Sequence, residues 1–473
     1  MTVVQILLLA AAAALIGSLP RGRALALAGA SMFTLFWLSQ PNEEWVSLPF
    51  WLQMLTAFIV ILVWWITAPV ELRRLRKQWP VLAVLVVAVF LAILVNRLPV
   101  AGILSISTAG PITVLGVCFI FGAILLLLNA TARLNRIWAA LSALALVGFF
   151  LILKSPALTS QIFELLSSWR GGDAPPDPSS TLAWLGYSYL AFRLLHVLRD
   201  WQAGLLPPVN LDEFICYAIF FPSFVSGPID RVERFTKDAR QSTRLGNEGL
   251  IDGGQRLAIG LFKKFVLADW LAWLSISDTL VGQTRDGAWL WLFLYAYTFR
   301  LYFDFSGYTD IAIGLGRLAG IRLPENFDAP FLKSNLAQFW NSWHITLTQW
   351  FRSYVFNPLT RFLRTANRPL PVWLILLLAQ LLTMGLIGLW HGFTWNFLLW
   401  GVWNGVGLFL QNRWSEYVRG RFSNWGTRPL ARRALAVTGT LLTFHYFSLS
   451  LVFFALTTPQ ASMNTLLKLF GML

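Results

Sequence analysis

The chain has 473 residues, of which 57% are hydrophobic and only 12% are charged. A soluble domain carries about 25% charged residues, and a chain of this length cannot bury so much apolar surface in ordinary cores, so the composition excludes a soluble protein and indicates that lipid surrounds much of it. The net charge of +15 does not indicate a nucleic-acid partner, because no segment outside the apolar runs interleaves basic residues with aromatic ones.

Six apolar runs precede residue 181, and each approaches the length of about 20 residues that a transmembrane helix needs. The first run has no basic residue ahead of it and is followed by Arg21 and Arg23, so we interpret it as a retained first helix rather than a signal peptide. The basic residues collect in alternate loops, which places those loops in the cytoplasm and both the N-terminus and a loop over 154–181 outside. The predicted helices cover residues 3–19, 24–39, 49–69, 80–96, 111–128 and 136–153.

Beyond residue 181 the apolar runs are interrupted by Gly, Pro, Arg and Asp, which lipid-facing helices avoid. We therefore predict broken or re-entrant segments over 181–198, 212–228, 254–278 and 287–320. In the sequence FPSFVSGPID, we expect Pro222, Gly227 and Pro228 to break the helix.

The remaining segments complete the predicted topology. Residues 229–256 are too polar to span, and their excess of basic residues places them in the cytoplasm, as it does the loop over 412–433. Conventional spans return at 371–389, 395–411 and 435–457. We predict an all-α polytopic membrane protein with about 11 to 13 transmembrane or re-entrant helices. It forms a single domain, 1–473, with hydrophobic N-terminal helices (1–180), a catalytic motif region (181–411), and a C-terminal loop and last helix (412–473).

The few histidines are the first candidates for chemistry, because an ionisable side chain at membrane depth costs about 2.5–3.5 kcal/mol and usually lines a cavity, pairs or reacts. His344 lies in FWNSWHITLTQWFR. If that stretch is one helix, its polar residues share one face. This face is either the polar side of an interfacial helix or a wet site in which Asn341 orients His344 as a general base. The face contains Gln338, Asn341, His344, Thr348 and Arg352.

His391 lies between two apolar runs, in the sequence GLWHGFTW, and is flanked by Gly388 and Gly392. Glycine at these positions permits close approach of the backbone to a ligand or a neighbouring helix. On the pattern alone, His391 beside Trp390 is either an interfacial anchor or a catalytic residue. The other two histidines are interpreted as structural; they are His196 and His445.

Three charged residues fall within an apolar stretch after residue 287. Arg300 and Asp304 are four residues apart and can pair along one helical face. Alternatively, Asp304 or Asp310 holds an ion or a proton. The sequence contains no phosphate-binding loop, no H-E-x-x-H metal pair and no G-x-S-x-G nucleophile elbow.

The two histidine motifs together carry a family resemblance. FWNSWHITLTQWFRSYVFNPL, followed by LWHGFTWNFLLWG, resembles the membrane-bound O-acyltransferase family, and most closely the bacterial branch that acylates extracytoplasmic polymers such as alginate, cellulose, peptidoglycan and lipoteichoic acid. FFPSFVSGPIDR and YFDFSGYTDIAIGLGRLAGIRLPENFDAPF add to the match, which covers about residues 180–410. The chain departs from the alginate-type pattern at Ser353, where an acidic residue is usual, and at Thr360 and Arg361, which replace a glycine pair.

The resemblance implies acyl transfer through a membrane-embedded tunnel. His344 and His391 match the family's two histidines, and Asn341 and Asp310 match family positions. A cytoplasmic thioester, acetyl-CoA or an acyl carrier, would enter against the basic inner loops. His391 would deprotonate an acceptor hydroxyl, while Asn341 and His344 orient the reactants or stabilise the oxyanion. The resemblance also implies that Asp310, Arg352 and Trp390 bind substrate, without a metal or a permanently bound cofactor.

In this interpretation the protein spans a bacterial inner membrane and O-acetylates an exported alginate- or cellulose-like polysaccharide. It works with a periplasmic acetyl-transferring partner protein and the exopolysaccharide machinery. Two alternatives stay open. One is a transporter or flippase with a proton-coupled site at Arg300, Asp304 and Asp310. The other is an intracellular lipid O-acyltransferase, which would share the histidines.

Overall fold

The structure, a computed structural model, describes residues 1–38, 48–95, 111–130, 135–170, 184–241, 245–284, 286–366, 370–421 and 429–473. Over these residues the regular structure is helical, and the one β contact is an isolated bridge between Phe327 and Trp343. The all-α class is confirmed. The residues form two compact units, which are Met1–Ala258 with Asp310–Pro324, and Ile259–Thr309 with Glu325–Leu473.

The first unit begins with the six helices predicted from the apolar runs. Their bounds agree with the prediction within a few residues, except that α4 starts earlier because the basic stretch before Pro80 stays helical. These helices are α1 (Val3–Gly17), α2 (Arg23–Trp37), α3 (Leu48–Thr67), α4 (Leu75–Val95), α5 (Pro111–Ala130) and α6 (Asn135–Lys154).

The loop predicted over 154–181 is wrong for its first part, because residues Pro156–Arg170 form helix α7 with proline at its first position. Residues 171–181 lie outside the described residues. The unit continues with α8 (Tyr187–Gln202), α9 (Leu211–Ile219), α10 (Val232–Arg240) and α11 (Asn247–Phe262), whose last residues belong to the second unit.

The helix break predicted near Pro222 is confirmed, since α9 ends at Ile219 and the chain continues through turns. Arg193 on α8 is 1% exposed and donates hydrogen bonds to the carbonyl oxygens of Ala218, Ser223 and Pro228. Non-helical backbone at membrane depth is tolerated only where the protein satisfies its polar groups. Arg193 performs this role for the turns after α9.

The second unit contains the remaining helices and two π-helical segments, Lys263–Ala268 and Arg352–Phe356. Its helices are α12 (Asp269–Ala272), α13 (Asp278–Gln283), α14 (Gly287–Leu318, whose end belongs to the first unit), α15 (Leu336–Trp340), α16 (Ile345–Phe351), α17 (Asn357–Arg364), α18 (Val372–His391), α19 (Trp395–Arg421), α20 (Pro429–Ser450), α21 (Val452–Ala455) and α22 (Pro459–Leu469).

Helix α14 is continuous, so the break predicted within 287–320 is wrong. Three of its charged residues form ion pairs instead, and its glycines permit close packing. A Cβ added to Gly307 would lie 2.9 Å from the carbonyl oxygen of Gly260, and one added to Gly314 would lie 2.9 Å from that of Gly253. The glycines therefore serve helix packing rather than helix termination.

The loop predicted over 412–433 is also wrong in part, because α19 continues to Arg421 and α20 already begins at Pro429. The polar residues at these ends extend both helices beyond their apolar portions. Residues 422–428 lie outside the described residues.

Five described segments are long and apolar enough to cross a membrane. They are Leu48–Thr67, Arg76–Val95, Asn135–Lys154, Val372–His391 and Pro429–Ala455. The count of 11 to 13 segments, the tunnel and the single-domain division stay predictions.

Candidate active site

His344 lies between α15 and α16 in the left-handed backbone region, with φ of +44°. The single helix considered for the FWNSWHITLTQWFR stretch is therefore wrong. The helix stops at Trp340, and the N–H of Ile345 donates to the carbonyl oxygen of Asn326 at 2.9 Å. Because of this break, His344 does not lie at the regular helical spacing that the predicted polar face requires.

Asn326 holds the residues that follow His344. Its side chain is fully buried, and its Oδ1 accepts hydrogen bonds from the backbone N–H of Thr346 at 3.2 Å and from the Thr346 hydroxyl at 2.7 Å. A left-handed conformation costs a non-glycine residue roughly 1–2 kcal/mol. Such a conformation persists where surrounding contacts determine it, and it is common at functional sites.

The His344 ring is 4% exposed and lies among aromatic side chains. Its centroid is 4.6 Å from that of Phe305 and 6.0 Å from that of Trp390. His344 lies outside the five spanning segments, and burial lowers its pKa to about 3 because removal from water disfavours the charged imidazolium. The imidazole is therefore uncharged near neutral pH.

His391 is the last residue of α18. Its ring centroid lies 4.5 Å from Trp390, 4.8 Å from Phe454 and 5.4 Å from Trp400. Trp390 thus contacts both His344 and His391. The structure brings both predicted histidines against the same indole ring, within the second unit.

Helices α18 and α19 pack closely next to His391. A Cβ added to Gly388 would lie 2.1 Å from the carbonyl oxygen of Phe397, and one added to Gly401 would lie 2.4 Å from that of Met384. Glycine is therefore required at both positions for the two backbones to approach. This contact fixes the end of α18, where His391 lies.

A cavity of about 210 Å³, lined by both polar and apolar side chains, lies along α18 in the same unit. Arg352, at the start of a π-helical segment, donates a hydrogen bond to Oδ1 of Asn341, and both residues line the cavity. π-Helical segments are frequent at functional sites. Thr348 also lines the cavity, so part of the predicted polar face is assembled there, although His344 is not among the lining residues.

Asp310 belongs to the first unit, where its Oδ1 lies 2.6 Å from Nε of Arg256. The carboxyl is 5% exposed. The pairing considered between Arg300 and Asp304 is wrong, because Asp304 Oδ1 lies 2.5 Å from Nζ of Lys264. Lys264 reaches it from a π-helical segment 40 residues away, a partner that local spacing does not predict.

The two remaining histidines contact the protein's own groups. The Tyr217 hydroxyl lies 3.2 Å from Nε2 of His196, and Nδ1 of His445 lies 2.7 Å from the carbonyl oxygen of Leu441. Their structural role stays a prediction. Among the described residues, no group of three or more His, Cys, Asp and Glu side chains is placed to hold a metal ion.

The model of the membrane-bound O-acyltransferase family matches residues 158–456 of the chain. The chain belongs to the membrane-bound O-acyltransferase family. It is therefore an acyltransferase and a multi-pass membrane protein, as the two histidine motifs predict. This membership removes the support for the transporter alternative, which depended on Arg300, Asp304 and Asp310.

Three relatives show the range of acyl transfer within the family. The chain is 31% identical over 292 residues to the teichoic acid D-alanyltransferase of Streptococcus thermophilus, which covers 58% of this chain and 69% of the relative. It is 35% identical over 238 residues to the probable alginate O-acetylase of Azotobacter vinelandii, covering 48% and 44%. It is 32% identical over 277 residues to the peptidoglycan O-acetyltransferase of Helicobacter pylori, covering 56% and 49%.

Sequence reasoning missed three residues of the site, which are Asn326, Gln380 and Thr383. Asn326 carries no local signal, because its partner Thr346 lies 20 residues away. Gln380 and Thr383 do carry one. They are polar residues three apart within the apolar helix α18, a spacing that places both on one face.

Proposed function

We propose that this chain is a bacterial inner-membrane acyltransferase that takes an acetyl group from a cytoplasmic thioester and passes it across the membrane for O-acetylation of an exported, alginate- or cellulose-like polysaccharide. The observation that carries the proposal is the contact of both His344 and His391 with the ring of Trp390. Family membership supports the acyl transfer itself.

His391 acts as the general base in this proposal. Its imidazole takes the proton from an acceptor hydroxyl, whose oxygen attacks the thioester carbonyl. The C–S bond then breaks, and the thiolate leaves with the proton returned by His391. General-base assistance is worth about 10²–10⁴ in rate. The close packing of α18 against α19 supports this role, because it fixes the position of the base.

His344 and Asn341 stabilise the negative charge on the carbonyl oxygen. The uncharged imidazole of His344 carries one N–H that can donate to an oxyanion. Oδ1 of Asn341 accepts a hydrogen bond from Arg352, which leaves its amide N–H groups as the donors. The left-handed turn at His344 is held by Asn326, so the donor is positioned before substrate arrives.

Arg352 and Trp390 contact the donor, and the basic inner loops attract a thioester carrier that bears phosphates, either acetyl-CoA or an acyl carrier. Asp310 acts indirectly, since its carboxyl is bound to Arg256. A periplasmic partner protein of the exopolysaccharide machinery receives the acetyl group or delivers it to the polymer. The chemistry requires no metal or permanently bound cofactor.

A second candidate is transfer of an aminoacyl group. It is favoured by the longer match to the D-alanyltransferase of Streptococcus thermophilus, of which 69% is covered, against 44% of the alginate relative. The reacting groups would be the same, and only the acyl group would differ.

Inside-out membrane vesicles test the proposal. Vesicles from cells that produce the full chain together with its exopolysaccharide machinery receive acetyl-CoA labelled in the acetyl group, with an alginate or cellulose oligosaccharide in the lumen. We expect hydroxylamine-labile label on the saccharide, and none in vesicles that lack the chain. Label on membrane lipid with none on the saccharide contradicts the proposal and favours the lipid O-acyltransferase alternative.

A further inference from the structure

The cavity beside α18 has a position that suits the acyl group of the donor. Four of its lining residues lie on α18 ahead of His391, and the last of them, Ile387, is one turn before it. Trp340 also lines the cavity, and its ring centroid is 5.8 Å from that of Trp400, which contacts His391 at 5.4 Å. One end of the cavity therefore lies next to the aromatic residues that surround His391.

The cavity wall contains buried polar groups whose hydrogen-bonding capacity is not satisfied within the described residues. Gln380 and Thr383 are 6% and 8% exposed. Among the described residues, Oε1 of Gln380, the Thr383 hydroxyl and Nε1 of Trp340 have no hydrogen-bond partner. A buried polar group without a partner is costly, so these groups favour a ligand with hydrogen-bonding atoms. A carbonyl oxygen can accept from the indole N–H or the hydroxyl.

The charge of the wall distinguishes between possible ligands. Arg352 is the one charged residue among the thirteen that line the cavity, and none of the thirteen is acidic. Arg352 donates a hydrogen bond to the neutral amide of Asn341. An ammonium group placed here would have no carboxylate to pair with and would face a like charge, and both effects oppose its entry.

From these observations, and resting on the proposed function, we infer that this cavity selects the acyl group that the enzyme transfers and admits a short, uncharged acyl group such as acetyl while excluding an aminoacyl group. Its volume of about 210 Å³ is below the 300–1,000 Å³ of pockets that hold drug-sized ligands. This size favours a short acyl group over a long fatty acyl chain. The selection decides between the two acyl groups considered for the reaction.

Competition between donors tests the inference. Vesicles with the wild-type chain receive acetyl, D-alanyl and dodecanoyl thioesters of one carrier, each labelled in the acyl group, and ester formation is measured on the saccharide. We expect acetyl transfer to exceed D-alanyl and dodecanoyl transfer by at least tenfold in specificity, which is about 1.4 kcal/mol. Equal transfer of acetyl and D-alanyl groups would overturn the inference. No transfer from any donor would instead overturn the proposed function.

Variants of the wall test its charge directly. Gln380→Glu places a carboxylate in the cavity, and Arg352→Gln removes the like charge. We expect each to raise the ratio of D-alanyl to acetyl transfer at least tenfold. Gln460→Glu introduces the same carboxylate on α22, where Gln460 is exposed, and is expected to leave the ratio unchanged.

Two variants keep the test decisive if one of them fails to accumulate in the membrane. An unchanged ratio in the Gln380→Glu or Arg352→Gln protein that does accumulate would contradict the inference. The ratio is compared within each preparation, so a general loss of activity does not produce the expected change.

Discussion

The Trp390 ring contacts both His344 and His391, with its centroid 6.0 Å from the first imidazole and 4.5 Å from the second. Trp390 and His391 are the last two residues of α18, whereas His344 belongs to the break between α15 and α16. One indole ring thus contacts two histidines from distant parts of the sequence. In the proposed mechanism, Trp390 helps to hold both imidazoles where the hydroxyl and the thioester react.

Replacing Trp390 tests the importance of its contacts with the two histidines. We expect Trp390→Leu to lower acyl transfer at least tenfold, because loss of the ring lets both imidazoles move from the positions that catalysis requires. Trp390→Phe, which keeps an aromatic ring, should retain more activity. Trp414→Leu is the matched control, since Trp414 is 65% exposed on α19. Similar activities in the Trp390→Leu and Trp414→Leu proteins would argue against the bridging role.

Because the backbone of His344 is left-handed, two substitutions can distinguish its effect on stability from its effect on catalysis. His344→Gly removes the imidazole and also relieves the strain at φ +44°, whereas His344→Ala removes the imidazole alone. We expect the glycine variant to be more stable than the alanine variant by about 1 kcal/mol, with acyl transfer lost in both. Thermal unfolding in detergent and ester formation measure the two effects. Equal stability of the two variants would show that the turn is not strained.

Asn326 is expected to control the stability of the turn. Asn326→Ala removes an acceptor of two hydrogen bonds and leaves the N–H and hydroxyl of Thr346 buried without it, which costs about 1–3 kcal/mol. We expect lower thermal stability together with lower acyl transfer. Asn464→Ala, at an exposed hydrogen-bond acceptor on α22, should change neither. Full activity of the Asn326→Ala protein would contradict a positioning role.

The pH dependence of stability should include a contribution from His344. Its pKa in the folded protein is lowered to about 3 from an ordinary value of 6.5, so the unfolded chain binds the proton more tightly. The free energy of unfolding should therefore fall as the pH decreases from 6.5 toward 3. We expect the wild type to lose more stability than His344→Gln between pH 7 and pH 4.5. Parallel losses in the two proteins would show that His344 is not buried in its uncharged form.

The sequence predicts those parts of the fold that depend on continuous apolar runs, and it predicts less where long-range contacts decide. Helices α1 to α6 follow directly from hydropathy. The continuity of α14 does not, because Asp304 is paired with Lys264, 40 residues away. The turn at His344 likewise depends on Asn326, which local periodicity cannot detect.

In the candidate site, too, the sequence predicts some features, and others depend on long-range contacts. The two histidine motifs identify His344 and His391 without a structure, but not the distance between them. Asn341 and Arg352 are predicted to share a face and do share a cavity wall. The helix assumed in that prediction is broken, and His344 is not among the residues that line the cavity. Sequence patterns thus identified the reactive residue types, whereas the hydrogen bonds of Asn326 determine their arrangement.

The role of His391 is tested most directly by acyl transfer to the exported polymer in cells that produce His391→Ala, with His445→Ala as the control. His445 lies on α20 and contacts a backbone carbonyl oxygen of its own helix. Ester-linked acetate on the polymer is measured after the membrane levels of both proteins are shown to equal that of the wild type. We predict loss of ester-linked acetate in the His391→Ala cells and normal acetylation in the His445→Ala cells. Normal acetylation in the His391→Ala cells would contradict its assignment as the catalytic base.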